Sequence, residues 1–296
     1  MSNHSNAVPG QYPEFAGLVQ HKLWPAVKGR LQEKDFKALI SKPEEVMLSL
    51  RGAFTKKHEN DLVVSASPFF ANEEVKSNYG YPQGYAVKPV CEQLIELSKH
   101  FSALDTGLVL AYSKELPALP ASAEGWFAVP KFEVFAKTYN EAVGKVFDLI
   151  AKTRVFFNYR EGELGPKHLR LSERTAAALQ MLGKKQNGDF LLIPAQFGLT
   201  HRGRSTRRVC EIISNSPQFG LGSFVIGCML LSHPERLVQW EQLHIDCPGD
   251  EYSPGADDDF SRAPSFRFYG SEVRFDAFRV GHAYESYGSA SAFLPQ

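Results

Sequence analysis

The eight residues HRGRSTRR, 201–208, carry four guanidinium groups and one imidazole in a chain whose formal net charge is zero. Guanidinium groups are planar forks of donors that fit phosphate oxygens in pairs, so Arg202, Arg204, Arg207 and Arg208 are candidate anion ligands. The following pattern, RGRSTRRVCEIIS, predicts a helix starting near Ser205 with Val209, Ile212 and Ile213 buried. The free backbone amides at its amino end would add to the attraction for a phosphate. Upstream, KHLRLSERTAAALQMLGKK alternates His168 and Arg170 against Leu169 and Leu171, then places Ser172 before an Ala/Leu-rich helix holding Leu179 and Leu182. In β-ribbon DNA readers a strand of this kind pairs with its copy and enters the major groove. On that geometry His168 and Arg170 face base edges, and Lys167 and Arg174 lie near phosphates.

A second cluster, HIDCPGDEYSPGADDD, brings His244, Asp246, Cys247, Asp250 and Glu251 close in sequence. Two enzymatic uses follow from the residue types: a metal held by the acids, as in a Mg²⁺-dependent nuclease, or Cys247 as nucleophile with His244. The spacing supports neither. The acids from Asp250 onward fall in a Gly/Pro loop without the alternation of a calcium loop. A solvated acidic loop, or one that pairs with the arginines, accounts for the same residues. No Walker sequence, GxGxxG, HExxH or GxSxG is present. The expectation is therefore a protein without catalytic residues, metal or cofactor.

The elements that must hold these residues are drawn from 296 residues with 43% hydrophobic composition, enough for one large or two moderate cores. No apolar run is long enough to span a membrane, and MSNHSNAVPGQYPEF has neither the basic nor the apolar region of a secretory signal, which points to the cytoplasm. The cysteines Cys91, Cys210, Cys228 and Cys247 are widely separated and read as reduced thiols. Charge is polarised: about twelve Lys and Arg stand against about four acids between Lys152 and Arg208, and about eleven acids against about five Arg beyond Glu235. Such asymmetry is a hint of nucleic-acid contact, although the two regions could also neutralise each other in the fold.

Residues 1–14 read as a disordered tail, 15–125 as an N-terminal helical region and 126–296 as the DNA-binding region with its acidic end; residues 115–125 are the linker candidate. Helical spacing appears between Phe15 and Lys57, and over PVCEQLIELSKHF. It is strongest over VPKFEVFAKTYNEAVGKVFDLIAKTRVFF, where Phe132, Phe135, Tyr139, Val143, Val146 and Ile150 form a stripe suited to a core or a dimer seam. DLVVSASPFF reads as a strand and NYGYPQGY as aromatic turns, the latter a contact surface if the protein works through a partner. FGLGSFVIGCMLLSHPERL predicts a buried helix stopped at His233-Pro234. SFRFYGSEVRFDAF predicts a hairpin around Gly270-Ser271.

Strand, helix, turn, helix is the order of a ribbon-helix-helix unit, here with NGDFLLIPAQFGLTH inserted between the helices; DFLLIPAQ is an alternative reading strand. The stretches AQFGLTHRGRSTRR, FGLGSFVIGCMLLSHPERL, IDCPGDEYSP and YGSASAFLP, mostly within residues 130–296, resemble the integrating conjugative element proteins related to the AcaB-like transcriptional regulators. That resemblance implies a cytoplasmic protein of a mobile element, with ribbon-helix-helix DNA binding and a role in controlling element or transfer genes. The combined expectation is a helix-rich α+β fold containing an elaborated ribbon-helix-helix unit and a C-terminal hairpin. It would act as a homodimer on double-stranded DNA, with other element-encoded proteins as further partners. A non-catalytic interaction protein of element replication or conjugation is the alternative.

Overall fold

β4 (Phe190–Gln196), the stretch FLLIPAQ, is buried along its whole length, as a near-continuous apolar run requires. It sits inside a four-stranded antiparallel sheet, ordered β1 (Gly125–Pro130), β4, β11 (Ser291–Phe293), β5 (Gln218–Gly220). The β4–β11 ladder joins Gln196 and Ala195 to Ser291 and Ala292 and stops at Pro194, which has no N–H to give. The computed structural model describes residues 73–294. The tail at 1–14, the helices read between Phe15 and Lys57 and the strand read in DLVVSASPFF lie outside the described residues.

The second sheet has seven strands. β10 (Tyr287–Ser289), β6 (His244–Asp246), β8 (Arg262–Tyr269), β7 (Asp250–Tyr252) and β3 (Leu169–Leu171) are neighbours in that order, while β9 (Glu272–Arg279) joins β8 to β2 (Phe156–Asn158). β8 and β9 form a hairpin with Tyr269 opposite Glu272. Its two turn residues, Gly270 and Ser271, have φ of 61° and 69°, the left-handed pair of a type I′ turn.

Six α-helices accompany the sheets. α1 (Val90–Ser98) buries Leu94 and Leu97, and α2 (Gly107–Tyr112) buries Val109. α3 (Tyr139–Thr153) is capped by Thr138, whose hydroxyl accepts from Glu141 N, and buries Val143, Val146, Phe147 and Ile150. α4 (Glu173–Lys185) and α5 (Thr206–Ser214) start at Ser172 and Ser205, each serine accepting a first-turn amide. All ten residues of α6 (Ser223–Ser232) are buried. α6 crosses α3 so closely that a Cβ on Gly227 would stand 2.5 Å from Val146 Cγ1. Phe147 of α3 packs on Phe156, Phe266 and Phe275 of the seven-stranded sheet, with ring centroids 5.2, 5.8 and 4.5 Å away.

This architecture overturns the helix-rich ribbon-helix-helix expectation. The described residues form a mixed α/β fold of six α-helices and eleven strands in two sheets. β3 is paired within the chain, Leu169 to Tyr252 and Leu171 to Asp250, so it is an end strand of an intramolecular sheet. The expected insertion contains β4, a core strand, and cannot present side chains to DNA. The aromatic stripe from Phe132 to Ile150 is also divided. Phe132–Val134 is one 3₁₀ turn, and the helix begins only at Tyr139, because Thr138 offers the cap.

Candidate nucleic-acid interface

HRGRSTRR serves first as a strap for residues 73–75. Val75 N donates to Gly203 O at 2.7 Å, Ser205 N donates to Glu73 O at 2.9 Å, and Glu74 bridges to Arg204. A Cβ on Gly203, whose φ is 74°, would lie 2.2 Å from Val75 O, so the glycine of the RGR sequence is a requirement of this close approach. Arg204 then pairs with Glu74 at 3.3 Å. Arg207 grips Glu73 by two bonds, which hold that carboxyl below the usual carboxylate range, and Ser205 Oγ donates to the same group at 2.8 Å. Arg202 donates to Tyr79 O at 3.1 Å. Arg208 is buried and pairs with no carboxylate among the described residues.

Three of the eight basic residues singled out from the sequence meet at one groove of about 720 Å³: Arg170 from β3, Arg174 from α4 and Arg207 from α5. A fourth, Arg262 of β8, joins them. Nothing in the sequence flagged it, because it lies in a strand about fifty residues beyond the cluster and is brought in only by sheet pairing. The first turns of α4 and α5, at Ser172, Glu173 and Thr206, open onto the same space. Lys167, His168, Arg202, Arg204 and Arg208 do not line it. Lys167 is exposed, whereas the His168 ring bonds Ser253 O at 2.9 Å and stacks on Tyr252.

The four groove arginines differ in how they are held. Arg170 lies over the Phe260 ring at 3.6 Å and pairs with Glu251 at 2.7 Å, both ends about half exposed. That pair joins the acidic segment to the basic one. Arg174 spends its guanidinium on four backbone carbonyls, of Ile213, Ser214, Ser216 and Gln218, at 2.6–3.1 Å. These lie at and just past the carboxyl end of α5, where carbonyls lack helical partners and the helix dipole is negative. Arg174 is thus a structural cap. Among the described residues the Arg262 guanidinium makes one long hydrogen bond, 3.4 Å to Ala277 O.

The second sequence cluster divides between two roles. Asp250 accepts from Ser223 N at 2.7 Å and from Tyr139 Oη at 2.6 Å, placing a carboxylate at the amino end of α6. Burial nevertheless pushes its pKa up to about 6. Cys247 is wholly buried, and burial, with Asp250 beside it, pushes its thiol well up, the opposite of what a nucleophile needs. Burial and the charges of Arg267 and Arg236 bring His244 down to about 3. Asp257 and Asp259 serve local turns, accepting from Ser253 and Ser261 hydroxyls. Among the described residues no three His, Cys, Asp or Glu side chains converge as metal ligands. No described helix is long and apolar enough to cross a membrane.

No protein family, curated protein or solved structure matches the chain.

Proposed function

We propose that the protein binds nucleic acid, gripping the phosphate backbone of double-stranded DNA along the groove lined by Arg170, Arg207 and Arg262. The observation that carries this is the convergence of arginines from β3, α5 and β8 on one open groove beside two helix amino ends. Arg170 and Arg207 have carboxylate partners, but their side chains are 53% and 51% exposed. The Arg170–Glu251 pair is exposed at both ends and is worth at most about 1 kcal/mol, so a phosphate can replace Glu251 at small cost, whereas Glu73 is buried and stays paired with Arg207. The setting implied by the sequence resemblance, control of genes in a conjugative element, belongs to the same proposal. The homodimer expected there rested on a paired ribbon, and it loses that ground because β3 pairs with β7.

The test is fluorescence anisotropy of labelled DNA duplexes across a salt series. Wild type should bind unrelated duplexes with affinity that falls steeply with salt. Arg170→Gln and Arg207→Gln should each weaken all duplexes several-fold and flatten the log–log salt slope by about 1. Unchanged affinity and slope in the double variant would refute the proposal.

A further inference from the structure

The seven-stranded sheet has two unlike faces, because side chains alternate along each strand. Ile245, Phe266 and Phe275 are cross-strand neighbours on the face that meets Phe147 of α3. The alternate positions therefore share the opposite face. One row runs Ser289, Asp246, Ser265, Asp276 across β10, β6, β8 and β9. In the next, Tyr287 pairs with His244, and Arg267 pairs with Arg274, which pairs in turn with Phe157 of β2.

Aromatic rings line this face with guanidinium groups between them. Phe157 and Tyr159 touch at 4.6 Å; Arg274 lies 5.7 Å from the Tyr159 ring and 4.4 Å from that of Tyr269. Tyr269 in turn meets Trp240 at 5.1 Å, and Trp240 meets His244 at 5.0 Å. Phe157, Tyr159, Tyr269 and Trp240 are 48, 43, 47 and 42% exposed. Beneath them lie polar atoms that are buried and have no hydrogen-bond partner among the described residues: both ring nitrogens of His244, the hydroxyls of Ser265 and Ser289, and Arg267 Nε.

We propose that this face is a second binding site, which takes the unpaired bases of a single nucleic-acid strand. The exposed rings and the Arg274 plane stack on bases. The inference shares with the groove proposal only the kind of ligand. Charge separates the two sites. Here each arginine faces an acid: Arg274 with Glu272 at 2.7 Å, Arg160 with Asp276 at 2.6 Å, Arg267 with Asp276 at 3.4 Å. Binding at this near-neutral face is therefore carried by stacking and tolerates salt, whereas the groove does not.

The probes are an oligothymidylate and a duplex of equal length, titrated into the full chain at low and high salt while Trp fluorescence and anisotropy are followed. Wild type should bind the oligothymidylate at high salt, with quenching. Tyr269→Ala should lose about tenfold in that affinity while its duplex binding stays within about twofold. Arg207→Gln should show the reverse. A melt of each variant accompanies the titrations; if Tyr269→Ala melts early, the exposed Phe157→Ala replaces it with the same expected loss. Absence of oligothymidylate binding, or binding that neither aromatic variant weakens, overturns this site and leaves the groove standing. Loss of duplex binding alone in Arg207→Gln and Arg170→Gln concerns only the groove.

Discussion

Asp246 is the residue whose ionisation costs the fold most visibly. It is buried on β6, burial alone pushes its pKa to about 7, and its row neighbours Ser265 and Ser289 have unpartnered hydroxyls. A carboxyl whose folded pKa lies above its unfolded value binds more protons folded than unfolded, so it weakens the fold as pH rises through that window. Asp246→Asn should therefore raise the melting temperature at pH 8, by roughly 2–4 kcal/mol of stability, and the difference should vanish near pH 4. Thermal melts across pH check this; a difference that does not change with pH would contradict the burial argument. Arg174 makes the complementary case. It was singled out as a phosphate ligand, yet its bonds go to carbonyls at the end of α5. Arg174→Met should lower stability by about 2 kcal/mol, read by denaturant unfolding, with little change in the salt slope of duplex binding beyond what lost folding explains.

At the scale of elements, backbone meets backbone where the glycine-bearing sequences cross. A Cβ on Gly249 would be 2.5 Å from Gly220 O and Gly222 N, and one on Gly222 would be 2.4 Å from Tyr139 Oη. Thus FGLGS and CPGDE are two halves of one joint, which sets Asp250 under the amino end of α6. QFG and YGS form another, since Gly198 and Gly288 each leave no room for a Cβ on the other. These stretches also carried the family resemblance, and the structure assigns their glycines to packing. Gly222→Ala should destabilise by about 3 kcal/mol or prevent folding, because Tyr139 and Asp250 cannot withdraw without uncapping α6. Gly144→Ala, where the added methyl meets nothing within 4 Å, should be neutral or mildly stabilising. Equal effects of the two in denaturant melts would count against the joint.

Across the whole molecule, the charge polarity of the sequence is only partly cancelled in space. Among the described residues, Arg170 of the groove is paired with the acidic C-terminal segment, through Glu251, while Arg207 of the groove and Arg204 outside it are paired with Glu73 and Glu74 from a distant part of the chain. Proton balance is also a property of the whole. Burial brings His201 and His233 to about 4 and His244 to about 3, and raises Asp246 and Asp250 to about 7 and 6. Between pH 6.5 and 4 the unfolded chain protonates the three histidines while the folded chain protonates the two aspartates. The histidines prevail by about one proton, so stability should fall by roughly 1 kcal/mol per pH unit on acidification. Equilibrium unfolding at several pH values measures this slope, and His244→Gln should reduce it.

The sequence by itself determined the local elements whose signals are short-range. Ser172 and Ser205 head helices because their hydroxyls cap the first turn, Gly270-Ser271 turns the β8–β9 hairpin because both residues accept positive φ, and FVIGCMLL is a buried helix because it is apolar on every side. It also marked the arginines. Only the tertiary structure decided how those pieces pair and which arginines face solvent. β3 and the DFLLIPAQ strand looked like alternative ribbons, since a three-residue alternation and an apolar run say nothing of the strand each will meet hundreds of atoms away. Likewise Arg174 and Arg204 are the same residue type as Arg170 and Arg262; what separates a cap or an internal pair from a side chain that lines the groove is the set of neighbours folding brings beside it, and those are long-range contacts with no trace in local spacing.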